Sequence, residues 1–326
     1  MLSFRTIIEI NPSDSKISHN TPMCMMGSCF ATNIGEKLES LKFDILLNPF
    51  GILFNPLSIA ASLKRTVENN PFTEQELVFQ HEMWHSLAHH GKFSHTDKSK
   101  CLENINSSLA EAHEMILKSK FLIMTFGTAW IYFYKKTGNV VANCHKLPSS
   151  AFDRRLVSVE EVYTNVFDSL SLIKKINPGI QFIFTVSPVR HLADGAHANQ
   201  LSKATLLLAV SQLCNTFEAQ YFPAYEIILD ELRDYRFFAD DMAHPSPLAV
   251  DYVFERFAET YFNKETRHLN LKIDEIYKAV NHRPVNENSI AHEKFKEIML
   301  KKIEDIEKAN PYLDFSEEKK HFILNR

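Results

Sequence analysis

A three-layer α/β/α domain with a central parallel sheet, followed by C-terminal helices, is the fold class this sequence predicts. Two observations carry that expectation. Strand-length apolar runs recur along the chain, and most are continuous rather than alternating, as expected for parallel strands covered on both faces. Between them lie stretches with helical apolar spacing, which gives the β-then-α rhythm of a layered sheet. In such sheets, ligands gather beyond the carboxyl ends of the strands.

In chain order, the first strand is expected over residues 23–28 (Met23-Cys24-Met25-Met26-Gly27-Ser28). A helix over 31–41 follows, because Ile34, Leu38 and Leu41 recur at spacings of four and three. Further strands are expected at 43–47, 121–126, 181–186 and 225–229, and further helices at 58–68, 100–118, 159–175 and 200–220. Two insertions break the rhythm. Residues 77–95 are rich in His and aromatic side chains, and 130–147 pattern as a hairpin around Thr137-Gly138-Asn139. After Phe262 the composition becomes rich in Lys and Glu, with apolar spacing at Phe295, Ile298, Met299 and Ile303. The expected division is therefore a domain over 1–265 and a helical extension over 266–326.

Bulk properties narrow the function. The chain has 326 residues, 45% of them hydrophobic, and a formal net charge of −4, so there is no electrostatic reason to expect nucleic acid or an anionic membrane as partner. The opening residues mix Arg5 and Glu9 into a short strand-like run and lack the apolar stretch of a signal peptide. The five cysteines are odd in number and scattered, which argues against a disulfide framework. A cytoplasmic location is the expectation.

Two segments carry chemistry. At Gly27-Ser28-Cys29-Phe30-Ala31, two candidate nucleophiles sit where a strand gives way to a helix, and the helix N-terminus favours negative charge. Far downstream, Asp241-Met242-Ala243-His244-Pro245 places a carboxylate three residues before an imidazole. That spacing lets Asp241 fold back, fix the tautomer of His244 and leave its other nitrogen free as a base. Ser246 and Pro247 suit the N-cap and first position of the next helix.

Together these segments resemble the GSCFA family, whose members fall in the SGNH (GDSL-like) hydrolase superfamily. The likeness extends to Asn48-Pro49-Phe50-Gly51, Phe126-Gly127-Thr128-Ala129-Trp130, Asn143-Cys144-His145-Lys146 and Ser187-Pro188-Val189-Arg190-His191. It implies a flavodoxin-like sheet and ester chemistry through a covalent acyl-enzyme, with no metal or other cofactor. The superfamily's first block is Gly-Asp-Ser. A gapless overlay puts Cys29 on the nucleophile, and Ser28 is the rival. Resemblance offers the amides of the nucleophile and of Gly51 as oxyanion donors. The block at Gly127 lacks the usual Asn, so Thr128 or Asn143 is the expected substitute. Trp84, His85, His90, Arg190 and His191 are expected substrate contacts, although Arg190 could instead tie down the loop at Asp194-Gly195.

The expected activity is that of an O-acyl esterase, acetyl foremost, on a carbohydrate or glycoconjugate. The alternatives are an acyltransferase with a thioester donor and a glycan-binding relative without catalysis. One rival motif remains. His81-Glu82-Met83-Trp84-His85 fits the zincin pattern, which needs a helix to bring both His onto one face. Leu77-Val78-Phe79 patterns as strand instead.

Overall fold

A computed structural model describes residues 5–286 and 289–324 of the chain. They divide into two compact units, the first comprising Met1–Asn11, Pro22–Gly35 and Ile45–Arg256, the second Pro12–Thr21, Glu36–Asp44 and Phe257–Arg326.

The first unit is built on a five-stranded parallel sheet. Its strands are β1 (Met23–Gly27), β2 (Ile45–Leu47), β5 (Phe121–Phe126), β9 (Gln181–Val186) and β10 (Gln220–Tyr221), in the order β10-β9-β5-β1-β2. Two antiparallel insertions hang from it. One is the hairpin β3 (Leu77–Gln80) and β4 (Met83–Ser86), and the other is β6 (Trp130–Tyr134) paired with β7 (Val140–Val141) and β8 (Phe152–Leu156). Helices flank the sheet: α1 (Cys29–Ser40), α2 (Pro56–Glu68), α3 (Lys98–Lys118), α4 (Val159–Ile176) and α5 (Ala196–Phe217). Cys24, Met26, Leu122, Met124, Phe126, Phe182 and Phe184 pack with residues of α2 to α5 in one apolar core. The alternate strand positions, Met23, Met25, Ile123 and Ile183, are buried as well. Burial on both faces is why these strands read as unbroken apolar runs.

After β1 the chain goes to β2 on one side, and β5 then takes the other side of β1. The carboxyl ends of β1 and β5 thus form the topological switch point, where open α/β sheets place their ligands. Cys29 follows β1 and Gly127 follows β5.

Two expectations change, and a rival is ruled out. Residues 225–229 are not a strand: a helical turn, α6 (Ala224–Glu226), and a π-helical turn over Ile227–Glu231 occupy them. The edge strand comes earlier, at Gln220–Tyr221, and ends because Pro223 has no N–H to donate once the Phe222 amide has reached the Phe184 carbonyl at 2.8 Å. β8 was not expected as a strand, since Asp153-Arg154-Arg155 is charged and exposed. The zincin pattern fails on geometry. His81 and Glu82 occupy the β3–β4 turn with φ of +47° and +59°, so no helix brings His81 and His85 onto one face.

The second unit gathers α8 (Lys264–Asn281), α9 (Ile290–Ala309) and α10 (Ser316–Leu324), after α7 (Pro247–Tyr261) has carried the chain out of the first. Its core includes Ile273, Ile276, Met299, Ile303, Phe315 and Phe322. The early segments join it, His19 stacking on Phe43 with ring centroids 4.3 Å apart and Phe43 on Phe262 at 4.9 Å. Among the described residues, no helix is long and apolar enough to cross a membrane.

Candidate active site

The turn between β1 and α1 is fixed by close backbone approach. Gly27 has a φ of +153°, and a Cβ there would lie 2.4 Å from the Thr125 carbonyl oxygen, so only glycine fits. Its N–H donates to Asn48 Oδ1 at 2.8 Å, and Asn48 Nδ2 donates to Thr32 Oγ1 at 3.0 Å. Asn48 itself is left-handed (φ +46°) and closes a turn in which the Gly51 amide donates to the Asn48 carbonyl at 2.7 Å. One buried side chain therefore ties the β1 exit to the first turn of α1.

The two candidate nucleophiles differ in access. Ser28 is 1% exposed, and its hydroxyl has no hydrogen-bond partner among the described residues. Cys29 opens α1 and is only partly buried. Its thiol is pushed above the ordinary range by burial. The amides of Phe30 and Cys29 and the Lys203 ammonium pull the other way, and the Asp241 carboxylate adds to the rise. Desolvation outweighs the amides, so burial works against the negative charge that the helix N-terminus favours.

The acid–base pair forms as its spacing predicts. Asp241 Oδ2 meets His244 Nδ1 at 2.6 Å, while Oδ1 accepts the amides of Ala243 and His244, each at 2.9 Å. Those amides and the imidazole hold the Asp241 carboxyl at about 2. The loop is braced by the Ala239 amide on the His244 carbonyl (2.8 Å) and by the Arg190 amide on the Ala243 carbonyl (3.1 Å), with Met242 left-handed at φ +55°. The Asp241 carboxylate also acts electrostatically on the Cys29 thiol.

Among the expected oxyanion donors, the amides of Gly51, Gly127 and Thr128 are engaged. The Gly51 amide is taken by Asn48, and those of Gly127 and Thr128 both donate to the Phe54 carbonyl, at 2.7 and 3.0 Å. The Thr128 hydroxyl accepts the Trp130 amide at 3.1 Å and lies 3.1 Å from Ser202 Oγ. Asn143 Oδ1 accepts the His145 amide at 2.9 Å. The donors that face the thiol are the amides of Cys29 and Phe30.

The residues expected to touch substrate separate into two groups. His85 is buried, with Nδ1 2.6 Å from Ser94 Oγ and Nε2 3.0 Å from the Gln80 carbonyl, and it stacks on His145 at 4.5 Å. Trp84 packs on Phe79 at 5.0 Å and lies under the Lys98 ammonium. Both brace the hairpin. His90 presses its Cβ against Gly51 and accepts the Lys92 amide at 3.3 Å. Through that contact the hairpin supports the Asn48 turn. Arg190 and His191 lie on the other side, beyond the carboxyl end of β9. Arg190 does not tie down Asp194, since Arg154 does so at 2.6 Å.

Two residues escaped the sequence reading. Asn48 is one. The other is Lys203 on α5, 1% exposed, whose ammonium donates to the Gly127 and Ser187 carbonyls at 2.6 Å each. It joins the exits of β5 and β9. A signal existed: Asn199 and Lys203 continue the stripe of Leu206, Val210 and Leu213 at helical spacing. Polar residues in register with a core face are rarely idle.

The model of the GSCFA family matches residues 22–257, and that of the GSCFA domain protein, C-terminal domain, matches residues 273–323. No curated protein matches the chain.

Proposed function

The chain belongs to the GSCFA family, and from that premise we propose that it is an SGNH-like hydrolase of ester bonds that works through a covalent acyl-enzyme on Cys29. The observation that carries this reading is the partly exposed thiol at the start of α1, within electrostatic reach of a carboxylate that is itself bonded to an imidazole.

The chemistry follows from the residues. A thiol held in its neutral form needs a base at the moment of attack, and His244 supplies one. As Cys29 Sγ bonds to the ester carbonyl carbon, the S–H proton passes to His244 Nε2, and Asp241 stabilises the imidazolium through Nδ1. The amides of Cys29 and Phe30 receive the negative charge on the carbonyl oxygen. Collapse breaks the C–O bond, and the leaving alcohol takes its proton from His244. Water, deprotonated by the same imidazole, then attacks the thioester, releases the acid and restores the thiol.

An acetyl ester of a carbohydrate or glycoconjugate is the substrate class we propose, by analogy with SGNH relatives. All five cysteines are free, and a thiol nucleophile needs a reducing compartment, so the cytoplasm belongs to the same proposal. Hydrolysis of p-nitrophenyl acetate tests the reading. Turnover that is insensitive to chelator and abolished by Cys29→Ala and by His244→Ala supports it. Turnover that survives either substitution removes it.

A further inference from the structure

Cations gather at the carboxyl edge of the sheet without an acid to balance them. Lys203 is buried, and two of its three N–H groups are spent on carbonyls. The full charge that acts on it most strongly is another cation, Arg190. Among the described residues the Arg190 guanidinium has no hydrogen-bond or ion-pair partner, and its Nε is buried. The acids of the region are committed elsewhere. Asp194 is held by Arg154, Glu226 by the Tyr221 hydroxyl, and Asp241 by His244. Lys203 is buried and Arg190 partly so; burial and then Arg190 pull the Lys203 ammonium down to about 7, and an anion between the two would restore its charge.

Further unsatisfied groups border the same place. His191 donates its backbone amide to Asn199 Oδ1 at 2.9 Å, while Asn199 Nδ2 and His191 Nε2 are buried without partners. Asn199 is 1% exposed and lies one helical turn before Lys203 on the same face of α5. Burial and Lys203 also hold the His191 imidazole down to about 4. Arg190 donates its amide to the residue just before His244, so the cluster adjoins the base, and Lys203 acts directly on the Cys29 thiol. Among the described residues, Arg190 Nε, Asn199 Nδ2 and His191 Nε2 are thus buried polar atoms with no partner, gathered about the exit of β9, and Lys203 links that place to the thiol.

We propose that Arg190, Asn199 and Lys203 form an anion-binding subsite that takes a carboxylate or phosphate group carried by the ester substrate. The assignment rests on the ester-chemistry reading for its location in a substrate site. The Arg190 guanidinium suits either group, since both present two oxygens in one plane. An ester of an acidic sugar or of another acidic alcohol is then preferred over a neutral one.

Calorimetric titration of the intact protein with malonate, and separately with inorganic phosphate, against chloride at equal ionic strength, tests this directly. Alkylation of Cys29 by iodoacetamide, read at peptide level, reports whether the anion sits beside the thiol. Saturable binding that slows Cys29 alkylation is expected. Arg190→Gln should weaken it about tenfold or more, and the surface control Arg233→Gln should leave it unchanged. Preference for malonate assigns a carboxylate, and preference for phosphate a phosphoryl group. Asn199→Leu, which keeps both charges, should also weaken binding and guards against a purely long-range effect. No binding beyond chloride, or binding that Arg190→Gln leaves within twofold, overturns the subsite. Anion binding without p-nitrophenyl acetate turnover keeps the subsite and removes the esterase reading. Turnover without anion binding does the reverse.

Discussion

Replacing Asp241 with Asn should nearly silence the proposed esterase activity while leaving the fold intact, and the hydrogen bonds say why. Asp241 Oδ1 accepts two backbone amides at 2.9 Å, and Oδ2 faces His244 Nδ1 at 2.6 Å. In Asp241→Asn the carbonyl oxygen of the new amide must stay on the two N–H groups, because an NH2 there would meet two donors. The NH2 therefore turns to His244, and Nδ1 has to accept rather than donate. The ring proton moves to Nε2, which can no longer take the proton of Cys29. A triad locked in the wrong tautomer loses about 10⁴-fold in kcat, equivalent to about 5 kcal/mol of barrier. Steady-state hydrolysis of p-nitrophenyl acetate measures the loss, and thermal unfolding checks that the loop is undisturbed. Because its amides and His244 hold the Asp241 carboxyl at about 2, lowering the pH from 7 to 4 leaves it charged. Loss of wild-type activity in that range would come from another group. A variant that keeps more than a tenth of wild-type kcat/KM with a normal melting curve would refute the role given to the pair.

Three further outcomes follow from the geometry. Gly27→Ala drives a methyl group to 2.4 Å from the Thr125 carbonyl at a φ of +153°, and overpacking with backbone strain should destabilise the protein by about 3 kcal/mol; urea unfolding within 0.5 kcal/mol of wild type would count against the close approach. Asn48→Ala leaves the buried Gly27 N–H without an acceptor, at a cost of about 2 kcal/mol, and should lower kcat by loosening the nucleophile turn; an unchanged kcat would mean that the tether is dispensable. His89 is kept neutral by burial, down to about 3 from 6.5, so its share of stability is complete above pH 6.5 and is lost as pH falls toward 3. That share is roughly 5 kcal/mol at most. His89→Phe, a ring among Phe50, Phe72 and Phe93, should flatten the fall in urea midpoint between pH 7 and 4, and an unchanged slope would assign the acid sensitivity elsewhere.

The layout of the sheet was legible because its strands are buried on both faces and so are continuous in the sequence. The Asp241–His244 pair was legible for a different reason: both partners lie in one turn, so spacing alone defines their contact. What escaped the reading depends on contacts distant in sequence. Residues 225–229 are apolar because they are buried as helical turns, and Pro223 was the residue that told against a strand. The hydrogen bonds that engage the amides of Gly51, Gly127 and Thr128 are ones that no motif encodes, such as Gly127 to Phe54. Lys203 stands 174 positions after Cys29 in the chain, yet it acts on the thiol because α5 delivers it to the exits of β5 and β9. The ring contacts of Trp84 with Phe79 and of His85 with His145 were not legible either, since an aromatic, His-rich segment does not show in sequence which of its rings pack together.

The most direct test of the central claim is to trap the acyl-enzyme. The protein is mixed with p-nitrophenyl acetate, quenched rapidly in acid and mapped by peptide mass spectrometry, beside Cys29→Ala, Ser28→Ala and His244→Ala. An acetyl group on Cys29 is the result expected, retained in Ser28→Ala and absent from Cys29→Ala and His244→Ala. An adduct on Ser28, or none on either residue during turnover, would contradict the account.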